Sequence, residues 1–138
     1  MGVRAVGETW TTQTSAPDNN WNSVTWGGPA GQEKFVAVAY SGTGNRVMTS
    51  PDGITWTTQT SAADNNWNSV TWGGPAGQEL FVAVAPSGTG NRVMTSPDGI
   101  TWTTFPMISG QYKLFTIEAS AAAYAAQVVE LAYGIDLE

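Results

Sequence analysis

Residues 10–55 of the chain read WTTQTSAPDNNWNSVTWGGPAGQEKFVAVAYSGTGNRVMTSPDGIT. Residues 56–101 repeat this stretch with only three changes: Pro17 becomes Ala63, Lys34 becomes Leu80 and Tyr40 becomes Pro86. Trp10, Trp56 and Trp102 stand 46 residues apart and mark the period. Near-identity of this degree indicates recent duplication or deliberate design. It also predicts that any site within one copy is present twice.

Each copy contains four short runs that are typical of β-strands. β-Branched and aromatic residues dominate these runs, helix formers are scarce, and Gly, Pro and Asn separate them. In the first copy the runs cover residues 21–26, 34–40, 46–50 and 54–58. The second run is continuously apolar, which is typical of a strand buried on both faces. The pattern predicts an all-β fold of four-stranded antiparallel meanders, which must stack on one another to bury both faces.

A turn motif follows the third run of each copy. It reads SPDGITW at residues 50–56 and again at residues 96–102. With its flanking strands it resembles the Asp-box of sialidase-like β-propellers, and residues 10–104 resemble two blades of the BNR/Asp-box group. The resemblance implies a structural role, away from any active site, for the residues of the box. Those residues are Ser50, Asp52, Gly53 and Trp56 in the first copy and Ser96, Asp98, Gly99 and Trp102 in the second.

The residue types of this turn also have a physical interpretation of their own. Asp52 is placed to accept backbone N–H bonds within the turn, Gly53 supplies an unusual φ, and Trp56 is expected to pack beneath it. We therefore expect both turns to be fold elements rather than ligand sites.

The repeats divide the chain into four segments. We predict an N-terminal strand that could close a blade at residues 1–9, blade repeats at 10–55 and 56–101, and a diverged tail at 102–138. Together the two flanking segments have the length of one further period. A third, diverged blade closed by both termini is therefore one interpretation of the flanks.

The tail has a second interpretation. Residues 112–117 stand where the first run of a blade would lie, but residues 118–134 are rich in alanine. Tyr124, Val128 and Leu131 would share one helical face, which favours a helix. The alternative for this part of the tail is a strand at residues 127–133.

Composition argues against most enzyme classes. The chain has no histidine and no cysteine, so it lacks the commonest general base, a thiol nucleophile and thiolate zinc ligands. Five Lys and Arg against eleven Asp and Glu give a net charge of −6, which argues against nucleic acid as a partner. No signal peptide or long apolar span is present, so we expect a soluble chain without membrane contact, in an unassigned compartment.

No catalytic residue emerges from the family resemblance either. Sialidases use an arginine cluster, a tyrosine with a carboxylate partner and an acid aspartate. Arg46 and Arg92 are copies of one position, and Tyr40 is replaced by Pro86 in the second copy. We therefore predict that the protein is not an enzyme and that it has no cofactor and no metal site.

One polar segment offers the usual chemistry of a sugar site. Carboxylate and amide groups stand next to an aromatic face, and the repetition would supply avidity. The structural alternative is that Asn and Asp form turns while the tryptophans fill the space between blades. The candidate ligand-binding residues are Asp18, Asn19, Asn20 and Trp21, with their copies Asp64, Asn65, Asn66 and Trp67.

Assembly is the function that the repeat pattern favours. Two or three blades do not close a ring, because propellers contain about four to eight. Unclosed blades are expected to leave Trp26, Phe35, Val36, Val38 and their copies in the second repeat in water. We therefore predict a structural module whose ring is completed by homo-oligomerisation, as a dimer or trimer. The alternative is a multivalent, lectin-like propeller that binds glycans.

Overall fold

The computed structural model describes residues 9–105, which form two sheets of four strands each. The first sheet consists of β1 (Trp21–Gly27), β2 (Lys34–Ala39), β3 (Val47–Ser50) and β4 (Thr57–Gln59). The second consists of β5 (Ser69–Gly73), β6 (Leu80–Val84), β7 (Val93–Ser96) and β8 (Thr103–Thr104). Both are antiparallel meanders in chain order. The predicted all-β fold of four-stranded antiparallel sheets is confirmed.

The last strand of each sheet begins later than the sequence runs indicate. Residues 54–58 are predicted as a strand, whereas β4 begins at Thr57. The reason is the preceding turn, in which the N–H groups of Ile54 and Thr55 donate to Asp52 instead of to a neighbouring strand. The first sheet therefore runs past residue 55, where the sequence repeat ends.

Some predictions fall outside the described residues. These are the closing strand at residues 1–9, of which only residue 9 is described, and the helix or third blade of the tail after residue 105. Residues 9–105 themselves contain no helix, and hence none long and apolar enough to cross a membrane.

The inner strand β2 carries the continuous apolar run. It pairs with β1 on one side and with β3 on the other, and its residues 36–39 are all buried. Val36 and Val38 on one face of β2 lie in the core under the second sheet, and Ala37 and Ala39 on its other face are also buried. The expectation of a strand buried on both faces is confirmed.

The two sheets pack face to face. We call the face of the first sheet that carries Val36, Val38 and Val47 its back face. We call the face of the second sheet that carries Val70, Phe81, Met94 and Trp102 its front face. These two faces meet in one hydrophobic core, together with the fully buried Trp67. The opposite face of the first sheet, which carries Val24, is its front face, and the opposite face of the second sheet, which carries Val82 and Val93, is its back face.

This packing corrects one expectation. Val36 and Val38 are expected in water, but both are fully buried because the second sheet covers the back face of the first. Among the copies, Phe81 and Val82 are buried as well, at 0% and 2% exposure. Phe35 is half-buried. Trp26, which is 50% exposed, is the member of the set that does lie largely in solvent.

Candidate functional site

The turn between β3 and β4 is held by its own side chains. The Oδ1 atom of Asp52 accepts hydrogen bonds from the N–H groups of Ile54, at 2.8 Å, and Thr55, at 2.9 Å. The hydroxyl of Ser50 accepts from the N–H of Gly53 at 2.8 Å and donates to Asp52. Gly53 has a φ of 78°, in the left-handed region that favours glycine.

The tryptophan that closes the turn is tied to it as well. The Nε1–H of Trp56 donates to the carbonyl of Gly53 at 3.2 Å, and that of Trp102 donates to Gly99 at 3.0 Å. The ring of Phe35 lies 6.3 Å from that of Trp56, centroid to centroid. These contacts give the turn residues a structural role in the sheet.

Both turn carboxylates are held in the ionised form. The N–H groups of Thr55 and Ile54 hold the pKa of Asp52 below its ordinary value of 3.8. Burial raises the pKa of Asp98, but hydrogen bonds within its turn and the charge of Lys34 lower it by more, so its pKa is also below 3.8. An ionised carboxylate has no proton to donate at neutral pH, so neither residue is suited to be a general acid.

The candidate sugar-binding loops are braced against a neighbouring hairpin. The amide nitrogen of Asn19 donates to the carbonyl of Asn45 at 2.9 Å. The amide of Asn65 makes the same bond to Asn91 at 2.7 Å. In the second copy Asn65 is buried. The asparagines therefore hold the loop to the β2–β3 or β6–β7 connection of the same sheet.

The loop tryptophans have different surroundings in the two copies. The indole N–H of Trp21 donates to Pro17 and that of Trp67 to Ala63, both through backbone carbonyls. Trp67 is fully buried in the core between the sheets, so its ring has no face available for a sugar. Trp21 is half-buried and lines an open concave surface.

The acidic residue of the second loop connects the two sheets. Asp64 accepts a hydrogen bond from the N–H of Gly44 at 2.7 Å, and its carboxylate lies 3.7 Å from Nε of Arg46. Arg46 also donates to the carbonyl of Asn65 at 2.8 Å. No group among residues 9–105 donates to the carboxylate of Asp18, the equivalent residue of the first loop. The two loops are therefore equal in sequence but unequal in their bonding.

The front face of the first sheet is open along β1, whereas Ala37 on β2 and Met48 on β3 are buried on the same face. Its concave part has a volume of about 350 Å³ and is lined by residues that include Trp21, Val24, Met48 and Trp56. Val24 is 57% exposed, whereas its copy Val70 is 6% exposed beneath the first sheet. Val24 was not singled out from the sequence. Its alternation with Trp26 along the first strand is the signal that could have identified it.

Ligand chemistry of other kinds has little support in the described part of the chain. No group of three or more Asp or Glu side chains is placed to hold a metal ion within residues 9–105.

A search of family models, of curated proteins and of solved structures found no match for the chain. The interpretation of the site therefore rests on its geometry.

Proposed function

We propose that the chain is a non-catalytic assembly module, in which each sheet is a blade of an Asp-box-type β-propeller and copies of the chain complete the ring. The proposal rests on one observation. The front faces of the two sheets have the same sequence but differ in solvent exposure: Val70 in the second sheet is 6% exposed, and Val24 in the first is 57% exposed. A surface that buries itself against a sheet in one copy is suited to do so in the other.

The energy of covering this face supports association. Burying a side chain of the size of Val or Phe stabilises by roughly 1.5–3 kcal/mol. The open face carries Val24, Trp26, Trp21 and Trp56, none of which is buried in the single chain. Exposed apolar patches of this kind are typical of interaction surfaces.

The number of blades sets the size of the ring. Propellers contain about four to eight blades. Two sheets per chain reach that range in a dimer or a trimer. A third blade from the residues outside 9–105 would also reach it in a dimer.

The absence of catalysis in this proposal follows from how the charged side chains are used. Arg46 is engaged with backbone carbonyls of its own hairpin and of the second loop. Asp52 and Asp98 are ionised and bonded within their turns. These groups stabilise the fold and are not directed at a common reaction centre.

The native mass tests the proposal. We expect light scattering at several concentrations to give two or three times the chain mass of 14.5 kDa. Val24→Asp, which places a charge on the open face, should give a folded chain of 14.5 kDa. Ile54→Asp is the matched control, because Ile54 is an exposed apolar residue that does not line the concavity. A wild-type protein that is folded and monomeric at every concentration would overturn the proposal.

Glycan binding is the second candidate, and the open concavity favours it. Trp21 and Trp56 line it together with Asn22. The amide nitrogen of Asn22 already donates to Trp67 and Asn68, so its amide oxygen is the group that would bond a sugar hydroxyl. A glycan array would then give a signal that Trp21→Ala removes while the circular dichroism spectrum is kept. An array without any signal at high protein concentration would eliminate this candidate.

A further inference from the structure

We propose that the open front face of the first sheet binds the back face of the second sheet of another copy, in the register that the two sheets of one chain already use. This inference rests on the proposed assembly and adds the partner surface and its register. We call the contact within a chain the inner junction and the contact between copies the outer junction.

The inner junction supplies the template. The N–H of Val70 donates to the hydroxyl of Ser23 at 3.2 Å. The amide of Asn22 donates to the carbonyl of Trp67 at 3.1 Å. Because the copies are nearly identical, the outer junction would pair Val24 of one chain with Ser69 of the next.

Only part of each surface needed for the outer junction is accessible: the part along β1 on the front face of the first sheet and the part along β5 on the back face of the second. Val24 is exposed on the front face, and Ser69 and Thr71 are exposed along β5. In the first sheet the equivalents of these two β5 residues are half-buried, because the second sheet lies against them. Val82 and Val93 are 2% and 1% exposed, so the open part of this back face lies along β5.

A polar contact is also repeated in sequence and unfilled in the single chain. In the inner junction Asp64 accepts from the N–H of Gly44. The outer junction would present Asp18 to Gly90 in the same way, since both positions are unchanged between the copies. Asp18 receives no hydrogen bond from residues 9–105, and an added donor would stabilise its contact with a second chain.

Two of the three positions at which the copies differ lie at the inner junction. Lys34 donates to the carbonyl of Asp98 at 2.9 Å across the inner junction. Its copy Leu80 cannot make that bond in the outer junction. Ala63 packs against the core between the sheets, whereas its copy Pro17 lies in the open first loop.

The third difference falls on the same surface. By strand alternation, Tyr40 and its copy Pro86 follow β2 and β6 on the side that carries Lys34 and Leu80. The differences between Lys34 and Leu80 and between Ala63 and Pro17 thus distinguish the outer junction from the inner one. Such differences are the usual means by which a chain selects one pairing over another.

Crosslinking tests the register. The chain has no cysteine, so Val24→Cys combined with Ser69→Cys places the only two thiols on the two surfaces proposed to meet. A short bis-maleimide should convert this variant into covalent oligomers on a denaturing gel. Val24→Cys combined with Ile100→Cys is the matched control, because Ile100 is exposed but lies in the turn beside the inner junction. It should remain largely uncrosslinked.

The outcomes separate the register from the assembly itself. Covalent dimers from the single variant Val24→Cys, with none beyond dimers from Val24→Cys with Ser69→Cys, would show two front faces in contact and overturn the register. The assembly would survive that result. A wild-type protein that is monomeric by light scattering would overturn both the proposed register and the proposed assembly.

A second measurement concerns Asp18. We expect Asp18→Ala to weaken association about tenfold or more, because a charged hydrogen bond is lost. It should leave the unfolding of the isolated chain unchanged. An unchanged association constant would show that Asp18 is not part of the outer junction.

Discussion

The two copies of the repeat have the same front-face residues, yet these residues have different surroundings. Trp67, Val70 and Phe81 are buried under the back face of the first sheet. The equivalents of Trp67 and Val70 are Trp21 and Val24, which line an open concavity. The equivalent of Phe81 is Phe35, which is half-buried. Identical sequence therefore encodes the shape and chemistry of a face, while its burial depends on which neighbour covers it.

The polar elements behave differently. The Asn19–Asn45 and Asn65–Asn91 bonds differ in length by only 0.2 Å between the copies, at 2.9 and 2.7 Å. The bonds from Ile54 to Asp52 and from Ile100 to Asp98 are both 2.8 Å. These contacts form within one sheet, so they do not need the second. The copies thus distinguish the contacts that form within one sheet from those that need a second sheet.

Removal of the loop tryptophan should give the largest difference between the copies. Trp67→Ala creates a cavity in the shared core and should lower the free energy of unfolding by about 3–5 kcal/mol. Trp21→Ala removes a half-buried ring and should cost markedly less. Urea unfolding at a concentration too low for association measures both. Equal losses in the two variants would mean that the inner junction does not form as described.

The fold was accessible from the sequence because its signals are local. The repeat, the alternation of residues 21–26 and the apolar run of β2 are sufficient to predict four-stranded antiparallel sheets. The bonding of Asp52 could also be predicted, because aspartate followed by glycine in a tight turn has few other arrangements. The late start of β4 was missed, because the pattern of alternating Thr and Trp does not show that the turn uses two of its N–H groups.

The site was only partly accessible, because it depends on contacts between sheets. The sequence gives Asp18 and Asp64 the same neighbours and predicts the same role for both. Only the stacking shows that Asp64 joins the sheets while Asp18 lies in solvent. Val24 was missed for the same reason, since a valine in a strand is ordinarily a core residue.

A glycine at the inner junction offers the next largest effect. A Cβ atom at Gly27 would clash with Cβ and Cγ of Trp72, so the close approach of the sheets requires glycine there. Gly27→Ala should lower the free energy of unfolding by about 1–3 kcal/mol through overpacking.

The partner of this clash provides the control. In Gly27→Ala combined with Trp72→Gly both the Cβ atom and the indole that the added methyl would meet are absent, so the double variant should lose less than the sum of the two single losses. Additive losses in thermal or urea unfolding would contradict a direct contact between the two residues.

The loop carboxylates should differ by a smaller amount. Asp64→Ala removes the acceptor of the hydrogen bond from Gly44 and the ion pair with Arg46. The expected loss is about 1 kcal/mol, because the carboxylate is partly exposed to solvent. Asp18→Ala should change the unfolding of the unassociated chain by a few tenths of a kcal/mol at most. If Asp18→Ala were as destabilising as Asp64→Ala, the two loops would be equivalent in the single chain.

The turn carboxylates predict a pH dependence that the two copies share. Both pKa values are lowered in the folded chain relative to 3.8. The unfolded chain therefore binds more protons in this range, and stability rises with pH. The contribution is fully present above pH 3.8 and is lost as the pH falls through the lowered folded-state values. Thermal unfolding between neutral pH and pH 2 should show this loss, and Asp52→Asn or Asp98→Asn should reduce it.

The smallest effect concerns the charge of Lys34, which lies beside the turn of Asp98 but not beside that of Asp52. Lys34 donates to the carbonyl of Asp98 and its charge lowers the pKa of that residue, whereas the pKa of Asp52 is lowered by its own turn alone. Lys34→Leu gives the first copy the residue of the second, so it should raise the pKa of Asp98 and leave that of Asp52 unchanged. Titration of the two carboxyl carbons by NMR measures each separately. If both pKa values moved together, the substitution would be acting on the fold as a whole. If neither moved, the charge of Lys34 would not reach the turn across the inner junction.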